Sequence, residues 1–399
     1  MMTFEMPGLT YKTAGESHGP ALVALVEGLP AGVTVDVDFI DAELRRRQGG
    51  YGRGGRMKIE RDSVTILSGV RRGVTIGSPV VMQIVNSDCR IDTAAEVNCP
   101  RPGHADLAGS LKWLTTDCRD TLERASARET AARVACGALA RCLLQEFGIE
   151  CIGYVIRIGA IKAADLPVRQ AGVAGLSVDE IRSRRDANEA YCPDEASAAA
   201  MIDAIRRAKA DKDTLGGIVE VQVLGVPPGL GSCARWQDRL DGRLMRAVGS
   251  IQAIKGVEIG LGFGVADRPG SAVHDEISFD PTRRDTPSLG FTRSSNNAGG
   301  LEGGMTNGQP IVVRAAMKPI STLLRGLDSV NLKTTQPYRS DYERSDICAV
   351  PAAGVVAENV VAFEIARAFL EKFSGDTLPE VRAAYEFYLN AVRSLGQLP

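Results

Sequence analysis

Two of the three histidines in this chain sit in short turns bounded by glycine. Gly15-Glu16-Ser17-His18-Gly19 follows a strand-like run, and its glycines let the backbone turn sharply while presenting a carboxylate, a hydroxyl and an imidazole together. A histidine presented in this way could protonate a leaving group; the plain alternative is a polar turn with His18 exposed. In Arg101-Pro102-Gly103-His104-Ala105-Asp106 a Pro-Gly turn delivers a second imidazole to the start of a short helix. Forked cations surround both. Arg45, Arg46 and Arg47 suit the negative end of a helix closed by Gly49, whereas Arg53 and Arg56 stand among five glycines and could fold over a polyanion. Arg124 and Arg128 flank Ser126 and Glu129, whose capping-box spacing predicts the start of a long helix with backbone N–H groups open to an anion. Small residues from Ser294 to Gly304 let another molecule approach the backbone, and Arg344-Ser345-Asp346 sets a carboxylate beside a guanidinium.

These segments call for a ligand with several negative charges, and composition narrows the choice. The 399 residues carry 47 basic and 49 acidic side chains, so the formal charge of −2 gives no bulk attraction to nucleic acid or to an anionic membrane. Of the cations 37 are Arg and 10 are Lys, and Arg is the residue for forked recognition of carboxylate and phosphate. Aromatic residues make up 5%, too few for a base-stacking platform. An RGG-type nucleic-acid tract at 45–56 is the rival reading, but it occurs once and has no low-complexity surroundings. The nine cysteines include no C-x-x-C pair, and Cys136 and Cys142 fall in apolar helical patterns, so neither a disulfide framework nor a metal site is expected. The N-terminus lacks the basic region and apolar run of a signal peptide, and no run nears roughly 18 apolar residues. A soluble cytoplasmic protein is implied.

The elements that must position these turns show a faint duplication. Residues 21–32 and 218–229 both alternate like strands and enter a turn, with Gly28, Pro30 and Gly32 matching Gly225, Pro227 and Gly229. Residues 69–85 align with 300–316, where Thr75, Gly77 and Pro79 meet Thr306, Gly308 and Pro310. Helices are predicted at 125–147, 194–210, 352–373 and 377–395, and strands at 9–14, 63–69, 151–160, 218–224 and 310–317. The pattern lacks regular βαβ alternation, which argues for α+β with antiparallel sheets in one domain of two related halves, about 9–150 and 215–375.

Taken in order, GESHG, RRxxGYGRG, RPGHAD, RxSARET, SIQAIKGVEIG, SNNAGGLEGG, MKPIST and RSDICAVPA resemble the chorismate synthase family from Tyr11 to about Arg367. The resemblance implies a duplicated β-α-β sandwich with helices layered between antiparallel sheets, usually assembled as a homotetramer. It implies 1,4-anti elimination of phosphate and a C6 hydrogen from 5-enolpyruvylshikimate 3-phosphate, with reduced FMN required and no net redox change. It casts His18 as the acid for the departing phosphate, His104 as the partner of the anionic reduced flavin, and Asp346 as the carboxylate assisting proton removal through flavin N5. Flavin contacts fall on Arg124, Ala125, Ser126, Gln252, Ala253, Gly303, Lys318, Pro319, Ile320, Ser321, Thr322 and Arg344. Arg47 and Arg53 match positions assigned to NADP, and we favour substrate or phosphate clamping for them. Ala125 and Thr322 stand where Ser is the commoner residue. NADPH as the source of reduced flavin, or a separate flavin reductase, is left open, and an NADPH-dependent flavin reductase is the alternative activity. His274 matches no catalytic motif and reads as structural or exposed.

Overall fold

A computed structural model describes residues 8–54, 61–164, 176–340 and 346–394. Two antiparallel sheets carry the molecule. In the first, the strands run Thr10–Ala14, Ala21–Glu27, Val80–Val85, Thr65–Ser68. In the second they run Ile161–Lys162, Glu150–Ile158, Gly217–Leu224, Ile311–Met317, Ile254–Ile259. Leaving aside the two-residue edge strand, both sheets place their strands first, second, fourth and third in chain order. The sequence echoes occupy matching places. Thr75 Oγ1 donates to Pro30 O and accepts from the Val33 N–H, at 2.7 and 2.9 Å. Thr306 Oγ1 donates to Pro227 O and accepts from the Leu230 N–H, at 2.7 and 2.8 Å. Buried hydroxyls must be paired, and each half solves the turn before its helix with the same residue.

The described helices are α1 (Val37–Gln48), α2 (Asp106–Trp113), α3 (Arg119–Ala125), α4 (Thr130–Gln145), α5 (Val178–Asp186), α6 (Glu195–Ala210), α7 (Leu240–Gly249), α8 (Val350–Lys372) and α9 (Leu378–Arg393). Helix α8 is buried at every position from Val350 to Phe363 because α4, α1 and α7 pack on it, and so does the second sheet. Helix α4 packs between α8 and the first sheet, so the layers read sheet, helices, sheet. Small residues let the backbones close up. A Cβ on Gly137 of α4 would meet Asn359 O of α8 at 2.1 Å, and one on Gly153 would meet Gly354 O at 2.8 Å. Cys136 and Cys142 are buried in this core as small apolar side chains.

Charge is buried here too. Glu43 of α1 and Glu358 of α8 share three guanidinium groups. Arg46 reaches them at 2.5 and 2.7 Å and Arg141 at 2.8 and 3.0 Å, while Arg185 reaches Glu358 at 3.3 Å. Asn359 Nδ2 adds a bond to Glu43 at 2.9 Å. Burial by itself would raise the Glu43 pKa, but Arg141 and Arg46 overcome it and hold the carboxyl far below its ordinary value.

The predicted long helix at 125–147 is divided. Residues 119–125 form α3, a 3-10 turn spans Ala127–Glu129, and α4 begins at Thr130. Ser126 Oγ accepts from the Arg128 N–H at 3.2 Å, as an N-cap does, but Glu129 does not complete a capping box. Its carboxylate accepts from Thr13, Arg133 and Gln252 instead, and these tertiary partners outcompete the local one.

Gly137→Ala should destabilise the protein by about 1–3 kcal/mol, because the added methyl group has no room against α8. Gly242→Ala, in a helix with open space around it, should raise stability slightly. Thermal unfolding of the two variants checks the contrast. A depressed folded-state pKa contributes stability that is present above the unfolded value and lost as pH falls through the folded one. Stability should therefore decline as pH drops below about 4.5, the ordinary range for Glu, and Glu43→Gln should reduce that acid-side slope in unfolding measured against pH.

Candidate functional site

The first strand ends at Ala14 and the chain turns at Gly15, whose φ of +104° and contact with Ala21 O, 2.3 Å from where a Cβ would stand, exclude other residues. Asn86 Nδ2 ties the turn together by donating to Glu16 O and Gly19 O, at 3.1 and 2.7 Å. Helix α3 lies against it. The His18 N–H donates to Glu123 Oε2 at 2.8 Å, and His18 Nδ1 is 2.9 Å from Oε1. The Ser17 N–H donates to the Glu123 carbonyl at 3.1 Å. Asp88 Oδ2 stands 3.7 Å from His18 Nε2. Burial favours the neutral form of Glu123, but the hydrogen bond and charge of His18, with Arg119, hold its pKa below the usual range. Arg124 is exposed beside this turn. Its guanidinium donates to Gly15 O and Thr13 O, at 3.0 and 3.1 Å, and so braces the same turn.

Next to Ser126, two arginines converge on one buried carboxylate. Arg128 Nη1 lies 2.6 Å from Asp62 Oδ1, and Arg47 Nη1 lies 3.4 Å from Asp62 Oδ2. Arg128 Nε donates to Asn86 Oδ1 at 2.8 Å, which links this cluster to the His18 turn. Arg47 also donates to Thr130 Oγ1 and Ala127 O, both at 2.9 Å. Burial is the largest influence on Arg47 and pushes its pKa down to about 9 against the opposing pull of Asp62, still a cation at neutral pH. Arg47 is thus enclosed and holds the loop at Ala127–Thr130.

Glu129 carries the framework into the second half. Its bond to Gln252 Nε2, at 3.1 Å, seats the Ile251–Ala253 segment, and Ala253, with φ +67°, accepts at its carbonyl from the Lys318 N–H at 3.0 Å. Lys318 Nζ in turn donates to Gly103 O, in the turn that bears His104. Burial and the charge of Lys255 lower the Lys318 pKa. Asp106 is buried below His104: its Oδ1 contacts His104 Nδ1, and Arg101 Nε donates to its Oδ2 at 2.8 Å. Burial alone would raise the Asp106 pKa, but His104 and Arg101 keep it well below the carboxylate range. A hairpin of Asp328–Val330 and Pro337–Arg339 covers this turn, with Ser329 Oγ donating to Pro100 O at 2.5 Å. Between them lies a cavity of about 530 Å³, walled by Leu107, Ala108, Leu111 and Val330 with His104 at its edge.

Asp346 closes the Gly52–Gly54 loop. It accepts from the Gly54 N–H at 2.6 Å and pairs with Arg53 at 3.0 Å. The Ile320 carbonyl accepts from Thr214 Oγ1 at 2.7 Å and the Ile347 carbonyl accepts from the Leu215 N–H at 2.9 Å, so the Lys318–Thr322 segment and Asp346 share a support. Arg56 and Arg344 lie outside the described residues. Gly303 is not brought to this group. It sits in the Leu301–Thr306 hairpin beside Gly231, at the end of the Ile311–Met317 strand opposite Lys318, about 20 Å away at the strand rise. His274 is exposed.

Sequence reasoning missed Asp62, Asp88 and Glu123. Each is a lone acid in an unremarkable stretch, and only the fold brings it to an arginine or histidine; Asp106 lay within a quoted motif but had no partner to give it a role.

The fold and site define an α+β protein with two imidazoles held by buried carboxylates in an arginine-rich framework. The chorismate synthase family pattern matches residues 9–370. The chain is 52% identical over 399 residues to a chorismate synthase of Desulforamulus reducens, covering 97% of this chain and 100% of that one. It is 54% identical over 398 residues to one of Desulforudis audaxviator, covering 97% and 98%. A crystal structure of chorismate synthase superposes with a TM-score of 0.78 at 41% identity, over 98% of this chain and 99% of the other. The chain belongs to the chorismate synthase family, whose members are lyases.

Asp62→Ala should cost about 3–5 kcal/mol, because it strips a shared counter-charge from two buried guanidinium groups. A fall in the denaturation midpoint well beyond that of an exposed-site control such as Asp203→Ala checks this.

Proposed function

We propose that this chain converts 5-enolpyruvylshikimate 3-phosphate to chorismate by 1,4-anti elimination of phosphate and a C6 hydrogen, the last common step toward the aromatic amino acids. The observation that supports it best is the bonded framework from the His18 turn through Arg124, Thr13, Glu129 and Gln252, and on through Ala253 and Lys318 to the His104 turn, in a chain of this family. The substrate has one phosphate and two carboxylates, and forked cations are suited to hold that much charge. His18 gives its proton to the departing phosphate oxygen, and Asp346 assists removal of the C6 proton. Arg53, held at Asp346, serves the anion directly; Arg47 and Arg124 act by fixing the loops that line the site.

The residues present suit reduced FMN. Gln252 Oε1 is buried with no partner among the described residues, so an acceptor is available to a ring N–H. Lys318 and Arg344 are cations that would suit its phosphate, the Ala125-Ser126 turn and the Pro319–Thr322 segment would offer backbone and the small side chains of Ala125, Ser126, Ser321 and Thr322, and His104 would be the partner of its anionic form. When bound, reduced FMN supplies electron density to the allylic system and recovers it, so no net oxidation results. The protein's work is orientation, charge placement and exclusion of water. A cytoplasmic homotetramer completes the reading. Among the described residues no helix is long and apolar enough to cross a membrane. Arg46, Arg47 and Arg53 turn inward onto carboxylates, which disfavours residues 45–56 as a nucleic-acid tract.

Purified protein with chemically reduced FMN, kept anaerobic, should form chorismate from the enolpyruvyl substrate; no product would sink the proposal. Steady NADPH oxidation without that substrate would favour the flavin reductase instead, and product formed with NADPH and FMN alone would show that no separate reductase is needed. His18→Ala and His104→Ala should each lower kcat by about a hundredfold or more in a protein that still folds, with a lowered thermal midpoint because Glu123 or Asp106 loses a buried partner, and normal turnover in either would remove the role given to it.

A further inference from the structure

We propose that Glu123 is the positioning residue of His18, holding the imidazole by Nδ1 so that Nε2 alone meets the reacting phosphate; this rests on His18 being the acid named above. The pairing is built, not incidental. One residue of α3 takes hold of the turn at three points: its carboxylate accepts the His18 N–H at 2.8 Å, its carbonyl accepts the Ser17 N–H at 3.1 Å, and its carboxylate meets Nδ1 at 2.9 and 3.0 Å. The Glu123 side chain is 0% exposed and that of His18 12% exposed. A buried carboxylate is costly unless it is paired, and Arg119, at 3.5 Å, is a distant second partner beside His18.

The geometry sorts the two ring nitrogens. With Nδ1 against Glu123, its hydrogen stays on that nitrogen and is donated to the carboxylate throughout. The transferable proton is then the one on Nε2. It passes to the departing phosphate oxygen as the C–O bond breaks, and the ring is left neutral with Nδ1–H still bonded to Glu123, which itself never takes the proton. Asp88 Oδ2, 3.7 Å from Nε2, is too far for a direct hydrogen bond, so it does not hold that nitrogen in place of the substrate. The loop bearing Asp88 is itself pinned to the turn, since the Arg90 and Ile91 N–H groups donate to His18 O at 3.0 and 3.1 Å. Nδ1 is therefore the structural end of the ring and Nε2 the chemical end.

The test uses the full chain with ¹⁵N-labelled histidine. With His18, His104 and His274 as the chain's only histidines, ring resonances can be assigned by single substitutions. Glu123→Gln keeps the side-chain length and one acceptor oxygen, which at the Oε2 place can take both N–H groups, but it removes the charge and sets an NH2 where the second oxygen met Nδ1, so the fold should persist while the hold on the ring weakens. We expect the His18 Nδ1 resonance to move while those of His104 and His274 stay, and kcat to fall about a hundredfold with little change in KM. Glu123→Asp, with its charge on a shorter arm, should recover part of kcat. An unmoved His18 resonance in Glu123→Gln, or wild-type kcat in that variant beside an inactive His18→Ala, would overturn the proposal. Full turnover by His18→Ala would instead sink the reading of His18 as the acid, and the resonance would still show whether Glu123 governs the ring.

Discussion

Arg46, Arg141 and Arg185 lie inside the molecule, and they stay there because Glu43 and Glu358 lie among them. Taking a guanidinium out of water costs several kcal/mol, and only close carboxylates with good geometry offset it. This requirement links elements far apart in the chain. It joins α1, α4, α5 and α8, so that the helical layer is held by charge as well as by the apolar packing of α8. Asp62 repeats the device with Arg47 and Arg128, in a place where it fixes a loop of the site rather than the core.

The site inherits its rigidity from this arrangement. Arg128 reaches Asn86, Asn86 holds the His18 turn, and Arg124 braces the strand end from which the turn departs. Both imidazoles rest their Nδ1 on a buried carboxylate, Glu123 for His18 and Asp106 for His104. Catalysis by preorganised charge needs groups that do not rearrange as charge moves. A histidine in a loop would otherwise be a poor choice for that work; here each loop is held by hydrogen bonds on both sides.

The duplicated scaffold is put to unequal use. The two sheets share their strand order and the Thr75 and Thr306 turns share their bonds, yet the histidine turn leaves only the first strand of the first half. The corresponding strand of the second half runs on to Ile158 and folds back through Gly159 into a short edge strand. What the second half contributes is the opposite end of its fourth strand in chain order, where Met317 gives way to Lys318 and the Ala253 turn. A site between two copies of one motif can draw on different ends of each, which frees the repeated turns to remain structural.

Much was legible without coordinates. Strand alternation within 21–32 and 218–229, the paired glycine-rich turns, the arginine-and-glycine segments and the motif order were enough to predict an antiparallel α+β fold, its duplication and the family, because these are local patterns or their succession. The helices expected at 194–210 and 377–395 are found at Glu195–Ala210 and Leu378–Arg393, and the structure shows the latter opened by a Thr377–Glu380 capping box with Pro379 in the first turn. The same spacing at Ser126 and Glu129 predicted a box that does not form, since Glu129 has stronger partners more than a hundred residues away. Tertiary structure alone decided which arginines face inward, that Glu123, Asp62 and Asp106 are their counterparts and those of the histidines, and that Gly303 lies at the far end of its sheet from Lys318. A single acid carries no periodicity and no spacing signal. Its role comes from what the fold sets beside it and from the exclusion of water there, and neither can be read along one chain.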